Sequence, residues 1–293
     1  MDAIILVNKP KGCTSHDVVY KVKKIFNEKV GHTGTLDPNA TGVLPLLIGK
    51  ATQCSKYLIN HDKKYKVTLE FGKKTTTADS EGEVIEEKEL QQGMFDEEII
   101  NNALKLCIGK QMQTPPIYSA IKVNGKKLYE YARKGQEVKI EPREITIYDL
   151  KLIKIMPEKK QIQFETSCSK GTYIRSLCET IAEKLNTIGY MKELERMQVG
   201  DFKLEDTITI EELQKYYDQN KLDELQEKSI ITIEKFFSNN LAVELNDKKL
   251  ELFLNGVKLT ENYPDGIYKI YNNEKFIGTG IIQDNLLKRD IIL

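Results

Sequence analysis

Long apolar runs, paired cysteines and a surplus of either charge are all missing from this 293-residue chain, and each absence removes a class of protein. The apolar run near the N-terminus, Ile4 to Val7, stops at Asn8-Lys9-Pro10. It is too short for a membrane span or for the apolar region of a signal peptide, so a cytoplasmic protein is expected. The five cysteines, at 13, 54, 107, 168 and 178, include no Cys-x-x-Cys pair, and their odd number argues against a complete disulfide framework. Only three histidines occur, His16, His32 and His61; no tightly bound metal and no cofactor is expected. Lys and Arg total 44, as do Asp and Glu, which taken alone speaks mildly against nucleic acid.

The distribution of charge says more than its sum. From Lys110 to Gly135 six basic residues (Lys110, Lys122, Lys126, Lys127, Arg133, Lys134) stand against Glu130 alone. From Lys56 to Lys74 six more stand against Asp62 and Glu70, and the balance is restored between Asp201 and Lys235, where ten acids face five lysines. A neutral total can hide a basic face.

Hydrophobic residues make up 40% of the chain, enough for a sizeable core. Ile4 to Val7 reads as a buried strand. Thr14 and Asp17 make a capping-box start, and Val18, Val22 and Ile25 predict a helix to about Asn27. Between Gly31 and Gly49 little periodicity is visible, which predicts a long loop; such loops are usually functional. Tyr65, Val67, Leu69 and Phe71 alternate as a half-buried strand, as do Ile162, Phe164, Thr166 and Cys168. Asp96 to Cys107 and Ile174 to Leu185 have helical spacing. Thr114 to Gly135 carries Pro115-Pro116 and two glycines within its basic cluster, which suggests an exposed excursion. From Thr209 a capping box with Glu212 starts short helices. Beyond about Ile233, Asn255-Gly256, Asp265-Gly266, Asn272-Asn273 and Gly278 punctuate short strands, the pattern of a small all-β module. Two domains are expected, 1–232 and 233–293.

The sharpest segment runs Gly31-His32-Thr33-Gly34-Thr35-Leu36-Asp37-Pro38-Asn39-Ala40-Thr41-Gly42-Val43-Leu44. An isolated Asp-Pro is most simply an Asx-turn. This longer string, however, resembles the catalytic motif of the TruB family of pseudouridine synthases. Further blocks follow in order: Asn8-Lys9-Pro10-x-Gly12-x-x-Ser15, Asp62-Lys63-Lys64-Tyr65-Lys66-Val67, Gly72-x-x-Thr75-x-Thr77-x-Asp79-x-x-Gly82, Cys168-Ser169-Lys170-Gly171-Thr172-Tyr173-Ile174-Arg175 and Leu194-Glu195-Arg196. Pro115-Pro116-x-Tyr118-Ser119-Ala120-x-Lys122 and the residues to Gly135 resemble the RNA-clasping thumb of bacterial members. The likeness is specific from Ile4 to Arg196 and weak from Gly200 to Ile233; Lys275 to Gly280 resembles a strand of a PUA module.

The resemblance implies a mixed α/β (α+β) fold: an antiparallel-rich catalytic domain with a thumb-like insertion at about 110–143, and a PUA-like C-terminal module. It implies isomerisation of uridine 55 in the T-loop of tRNA to pseudouridine, with Asp37 as nucleophile and Arg175 as its ionic partner. Tyr65, Tyr173 and Leu194 would pack a flipped uracil, and His32 would contact RNA near the vacated stack. An arginine in the first turn of a helix opposes the helix dipole, so a functional partner for Arg175 is expected. Tyr65 on an alternating strand would by itself be ordinary core. Lys126 and Lys127 would contact phosphates, and the partner would be the T-arm of tRNA, bound by a monomer without an obligate protein partner. Against these stand a binding-only tRNA chaperone of the same fold, a glycosylase using Asp37, and an RNA-guided relative.

Overall fold

The alternating stretches of sequence become the middle of one large sheet. In the computed structural model, which describes residues 1–225 and 229–293, the strands Lys63–Phe71 and Gln161–Cys168 pair antiparallel, with Tyr65 opposite Thr166, Val67 opposite Phe164 and Leu69 opposite Ile162. The whole sheet runs, edge to edge, Ile230–Thr232, Ala3–Lys9, Thr41–Ile48, Gly189–Val199, Lys63–Phe71, Gln161–Cys168, Arg143–Met156 and Gly109–Gln113, with Val30–His32 and Phe202–Lys203 as short additions.

Two helices cover one face of the centre. Glu97–Lys105, capped by Asp96, and Ile174–Lys184 bury Ile100, Leu104, Leu177 and Ile181 against Val67, Leu69, Ile162 and Phe164. Ser15–Phe26 carries the predicted capping box at Thr14 and ends on Asn27 in the left-handed region. With Ile210–Asp218, whose Thr209–Glu212 capping box also forms, it packs on Ile5, Val7, Leu44 and Leu46. The opposite side chains, Ile4, Leu6, Val43 and Leu47, pack on Phe237 and Ile291.

The expected long loop from Gly31 to Gly49 is not one. Its second half is the strand Thr41–Ile48, and only residues 33–40 form a loop. Val43 to Ile48 is buried throughout, and a strand covered on both faces shows no alternation to read. Pro45 fits there because its partner, Leu6, turns its own N–H and C=O to Ser229 and Ile208. Leu6 and Pro45 are therefore a pair without ladder bonds, and the missing proline N–H costs nothing on that side.

The C-terminal module corrects a second expectation, that of an all-β unit. Five strands, ordered Ala242–Glu244, Gly266–Asn272, Lys275–Gln283, Leu286–Ile292 and Leu259–Thr260, are joined by a helix, Asp247–Leu254, capped by Asn246. Asn255-Gly256 ends that helix instead of turning a hairpin, with Gly256 at φ +85°. Asn273-Glu274 and Asp284-Asn285 are the hairpin turns, each with two successive left-handed residues. The Asp290 carboxylate, accepting from the Tyr57 hydroxyl at 2.6 Å and that of Thr279 at 2.8 Å, ties the module to the larger sheet's flank.

The basic excursion leaves and rejoins the sheet edge at paired positions, Gln113 opposite Arg143. It holds a ladder between Lys122–Val123 and Lys126–Lys127, turned at Asn124-Gly125, and a helix, Leu128–Ala132. Leu128 and Ser119 are buried, and the Tyr118 carbonyl accepts from Arg175 at 3.0 Å, so the start of the excursion touches the body. Residues 226–228 of the acidic segment lie outside the described residues.

Candidate active site

The loop at 33–40 is anchored on both sides of Asp37. The buried Ser15 hydroxyl, at the start of its helix, accepts from the Leu36 N–H at 2.9 Å and donates to the Leu36 carbonyl at 3.1 Å. The wholly buried Lys9 ammonium donates to the carbonyls of Pro10 (2.9 Å), Pro38 (2.9 Å) and Ala40 (2.7 Å). Gly12 N–H adds a bond to Pro38 at 3.0 Å. Among the described residues the Asp37 carboxylate accepts from Arg175 and not from its own backbone, so the simple Asx-turn is not what forms.

Arg175 lies in the first turn of the Ile174–Lys184 helix and is buried. Its Nε is 3.2 Å from Asp37 Oδ2 and its Nη2 3.4 Å from Oδ1, the two-pronged pairing that fixes a carboxylate's direction. The same guanidinium reaches Asp79 at 3.6 Å and donates to the carbonyls of Thr77 (3.2 Å) and Tyr118 (3.0 Å). These contacts repay its unfavourable place against the helix dipole. Burial pushes the Asp37 carboxyl above its ordinary pKa; Arg175 and Lys9 oppose this, and Asp79 adds to it. Asp79 belongs to one of the matching sequence blocks, but only the fold reveals that it shares Arg175. Its other oxygen accepts from the Thr77 hydroxyl at 2.6 Å and Glu81 N–H at 3.0 Å.

Above this pair opens a cleft of about 500 Å³, lined by Asp37, Tyr65, Tyr173, Arg175, Leu194 and Arg196, with Tyr118 and Tyr129 contributed by the excursion. Tyr65 is at once core and cleft wall: it is 8% exposed, belongs to the main apolar cluster and lines the opening. Burial raises its phenol to about 12. Leu194 sits opposite Val67 on the neighbouring strand. Tyr173 is held by Gln113, whose amide accepts its N–H at 2.8 Å and donates to its carbonyl at 3.0 Å; no local sequence signal marks Gln113 for this.

Arg196 also went unassigned a role in the sequence. It is 2% exposed, faces Tyr65 across the strands, and donates from Nε to the Val43 carbonyl (2.8 Å) and from Nη2 to the Gly34 carbonyl (3.0 Å). Gly42, at φ +108°, allows this approach: a Cβ there would lie 2.3 Å from the Arg196 carbonyl oxygen.

Three of the sequence candidates fall outside the cleft wall. His32 is on the Val30–His32 strand, just before the lining residue Thr33; its buried Nδ1 has no hydrogen-bond partner. Burial, then the charges of Arg196 and His16, push its imidazole below the usual value, which keeps it neutral at pH 7. Lys126 is exposed at the excursion's turn, whereas Lys127 is half-buried with its ammonium 5.4 Å from the Tyr129 ring centre. Among the described residues no cluster of three or more His, Cys, Asp or Glu is placed to hold a metal, and no helix is long and apolar enough to cross a membrane.

Comparison with known proteins adds the chemistry such a cleft serves elsewhere. Residues 23–174 match the model of the TruB family pseudouridylate synthase N-terminal domain, and residues 175–238 that of the tRNA pseudouridylate synthase B C-terminal domain. The chain is 41% identical over 292 residues to tRNA pseudouridine synthase B of Caldanaerobacter subterraneus subsp. tengcongensis, covering 98% of both chains. It is 44% identical over 289 residues to tRNA pseudouridine synthase B of Clostridium perfringens, covering 96% of this chain and 95% of that one. Among solved structures, a chain of an H/ACA ribonucleoprotein bound to a substrate RNA containing 2′-deoxyuridine superposes with a TM-score of 0.69 at 25% identity, covering 99% of this chain and 85% of that one.

Proposed function

The chain belongs to the TruB family of pseudouridylate synthases and acts as a tRNA pseudouridine synthase; on that premise we propose that its target is uridine 55 of the T-loop and that Asp37 is the nucleophile. The observation that carries this is the two-pronged Asp37–Arg175 pair at the floor of a cleft walled by Tyr65, Tyr173 and Leu194. Isomerisation breaks the bond from uracil N1 to ribose C1′ and makes one from C5 to C1′, so no outside reagent is needed. A carboxylate held ionised by an arginine suits the carbon from which the base departs.

The target base has to leave its stack, at about a few kcal/mol, and apolar and aromatic walls offset this by roughly 1–3 kcal/mol per stacked base. His32, half-buried just before the lining residue Thr33, contacts RNA beside the cleft. Lys126 and Lys127 contact phosphates of the T-arm. The protein works as a cytoplasmic monomer without an obligate protein partner, its catalytic domain spanning 1–232 and a PUA-like RNA-binding module 233–293.

Asp37→Asn tests the assignment. Release of hydrogen isotope from C5-labelled uridine in tRNA should fall to background, while filter binding retains tRNA affinity, because one side chain is lost from a large interface. Substantial release by the variant removes Asp37 from the mechanism. Free uracil as the wild-type product would make the protein a glycosylase, and binding without release by the wild type would make it a chaperone.

A further inference from the structure

Arg196 is a buried guanidinium that the pairing of Asp37 with Arg175 leaves unused. It is 2% exposed and lines the same cleft. Burying a charge is costly unless it is paired, yet among the described residues no carboxylate offsets it; Tyr65 is what favours its charged form. Its hydrogen bonds go to two backbone carbonyls, Val43 on the Thr41–Ile48 strand at 2.8 Å and Gly34 on the loop at 3.0 Å. Burial lowers its pKa, but a guanidinium stays charged in any protein setting. The resting site thus holds a cation with no counter-ion, opposite Tyr65 on the neighbouring strand and in the wall of the cleft that Asp37 also lines.

The reaction assigned above, on which this inference rests, creates the missing anion. When the N1–C1′ bond breaks, its electron pair stays on uracil N1 and spreads to O2 and O4. It is returned when C5 bonds to C1′; the C5 hydrogen is then lost and N1 gains one, so the base keeps its composition. We propose that Arg196 is the counter-charge for the departed uracil, acting through the Tyr65 hydroxyl to stabilise the base while it is unattached. A preorganised charge aimed where charge develops stabilises that state without reorganisation. The two carbonyl bonds give Arg196 a further duty, since Gly34 and Val43 bracket the loop that carries Asp37.

The two duties are separable by the base. Single-turnover consumption of the target would be followed in tRNA carrying uridine or 5-fluorouridine, whose uracil anion is the more stable. Arg196→Gln removes the charge and keeps donors; Arg196→Lys keeps the charge. The glutamine variant should slow the uridine reaction by about 10²–10³-fold, with the penalty severalfold smaller on 5-fluorouridine, and the lysine variant should recover part of the loss. An equal penalty on both bases, or no advantage of lysine over glutamine, would overturn the proposal and leave Arg196 as a loop brace. If melting shows that the Arg196 variants do not fold, Tyr65→Phe decides: it keeps the ring and Arg196 but severs the link, and must show the same base-dependent penalty. Asp37→Asn should be inactive on both bases, which tests the reaction assignment separately.

Discussion

Replacing Asp79 with asparagine tests whether the ionisation of the proposed nucleophile, Asp37, is set by a second carboxylate. One guanidinium joins the two acids, its Nε 3.2 Å from Asp37 and its Nη1 3.6 Å from Asp79. Contacts to opposite ends of one guanidinium put the carboxylates roughly 8 Å apart, a repulsion of about 2 kcal/mol at an effective dielectric near 20 and about 0.5 kcal/mol in water. Neutralising Asp79 removes that repulsion, so the Asp37 pKa should fall. The sign follows from the resting state. Burial and Asp79 hold the Asp37 carboxyl above its ordinary range, and the proposed role requires the carboxylate form. Activity therefore falls as pH drops through that raised value, and Asp79→Asn should carry the fall to lower pH. Asparagine still offers an oxygen to the Thr77 hydroxyl and the Glu81 N–H, the two donors Asp79 now satisfies, so the turn at 77–81 is kept. The plateau rate should nevertheless drop, because Arg175 loses one of two carboxylates that orient it. The assay is the single-turnover rate of isotope release across roughly pH 4.5–8. An acid limb that stays in place, or moves to higher pH, refutes the electrostatic argument.

Gly42→Ala should destabilise by about 2–4 kcal/mol, seen as a lower melting temperature, because its Cβ would meet backbone of Arg196 at 2.3 Å and its φ is +108°. A variant that melts with wild type would mean that the two strands can part without cost. Lys126→Ala with Lys127→Ala should flatten the salt dependence of tRNA binding by up to about 1.5, with Lys126 carrying the larger share since Lys127 is already engaged with Tyr129. An unchanged slope makes them a solvated face. Isotope release should persist under excess chelator on folded tRNA, since the isomerisation needs no electrophilic metal; loss that zinc or magnesium restores would contradict this.

The features legible in the sequence were local ones. Alternation placed Lys63–Phe71 and Gln161–Cys168, and capping residues placed the helix starts at Thr14 and Thr209, because each depends on residues a few positions apart. Thr41–Ile48 escaped because a strand buried on both faces, with Pro45 inside it, has no period to detect. The Asp247–Leu254 helix escaped because Asn255-Gly256 ends a helix as readily as it turns a hairpin. The motif located Asp37, Tyr65, Tyr173, Arg175 and Leu194, which the fold gathers in one cleft. The contacts holding them were not marked: Gln113 is 60 positions from Tyr173, and Arg196 is 153 from Val43. Arg196 closes one of the matching blocks, but burial of a charged side chain is a property of the assembled sheet that no local pattern shows.

The cleft also resolves the one composition argument that pointed away from RNA. Equal numbers of acids and bases gave a chain of zero net charge, but its charges are not equally distributed about the site. Lys63, Lys170, Arg175 and Arg196 line the cleft against the single carboxylate of Asp37. Two of these cations are buried, where their field is little screened by salt. A polyanion is attracted by the potential at the opening it enters, not by the sum over the surface. Among the described residues, the acids of the 201–235 segment that balance the total contribute nothing to the lining, so neutrality of the whole chain and a positive cleft are compatible.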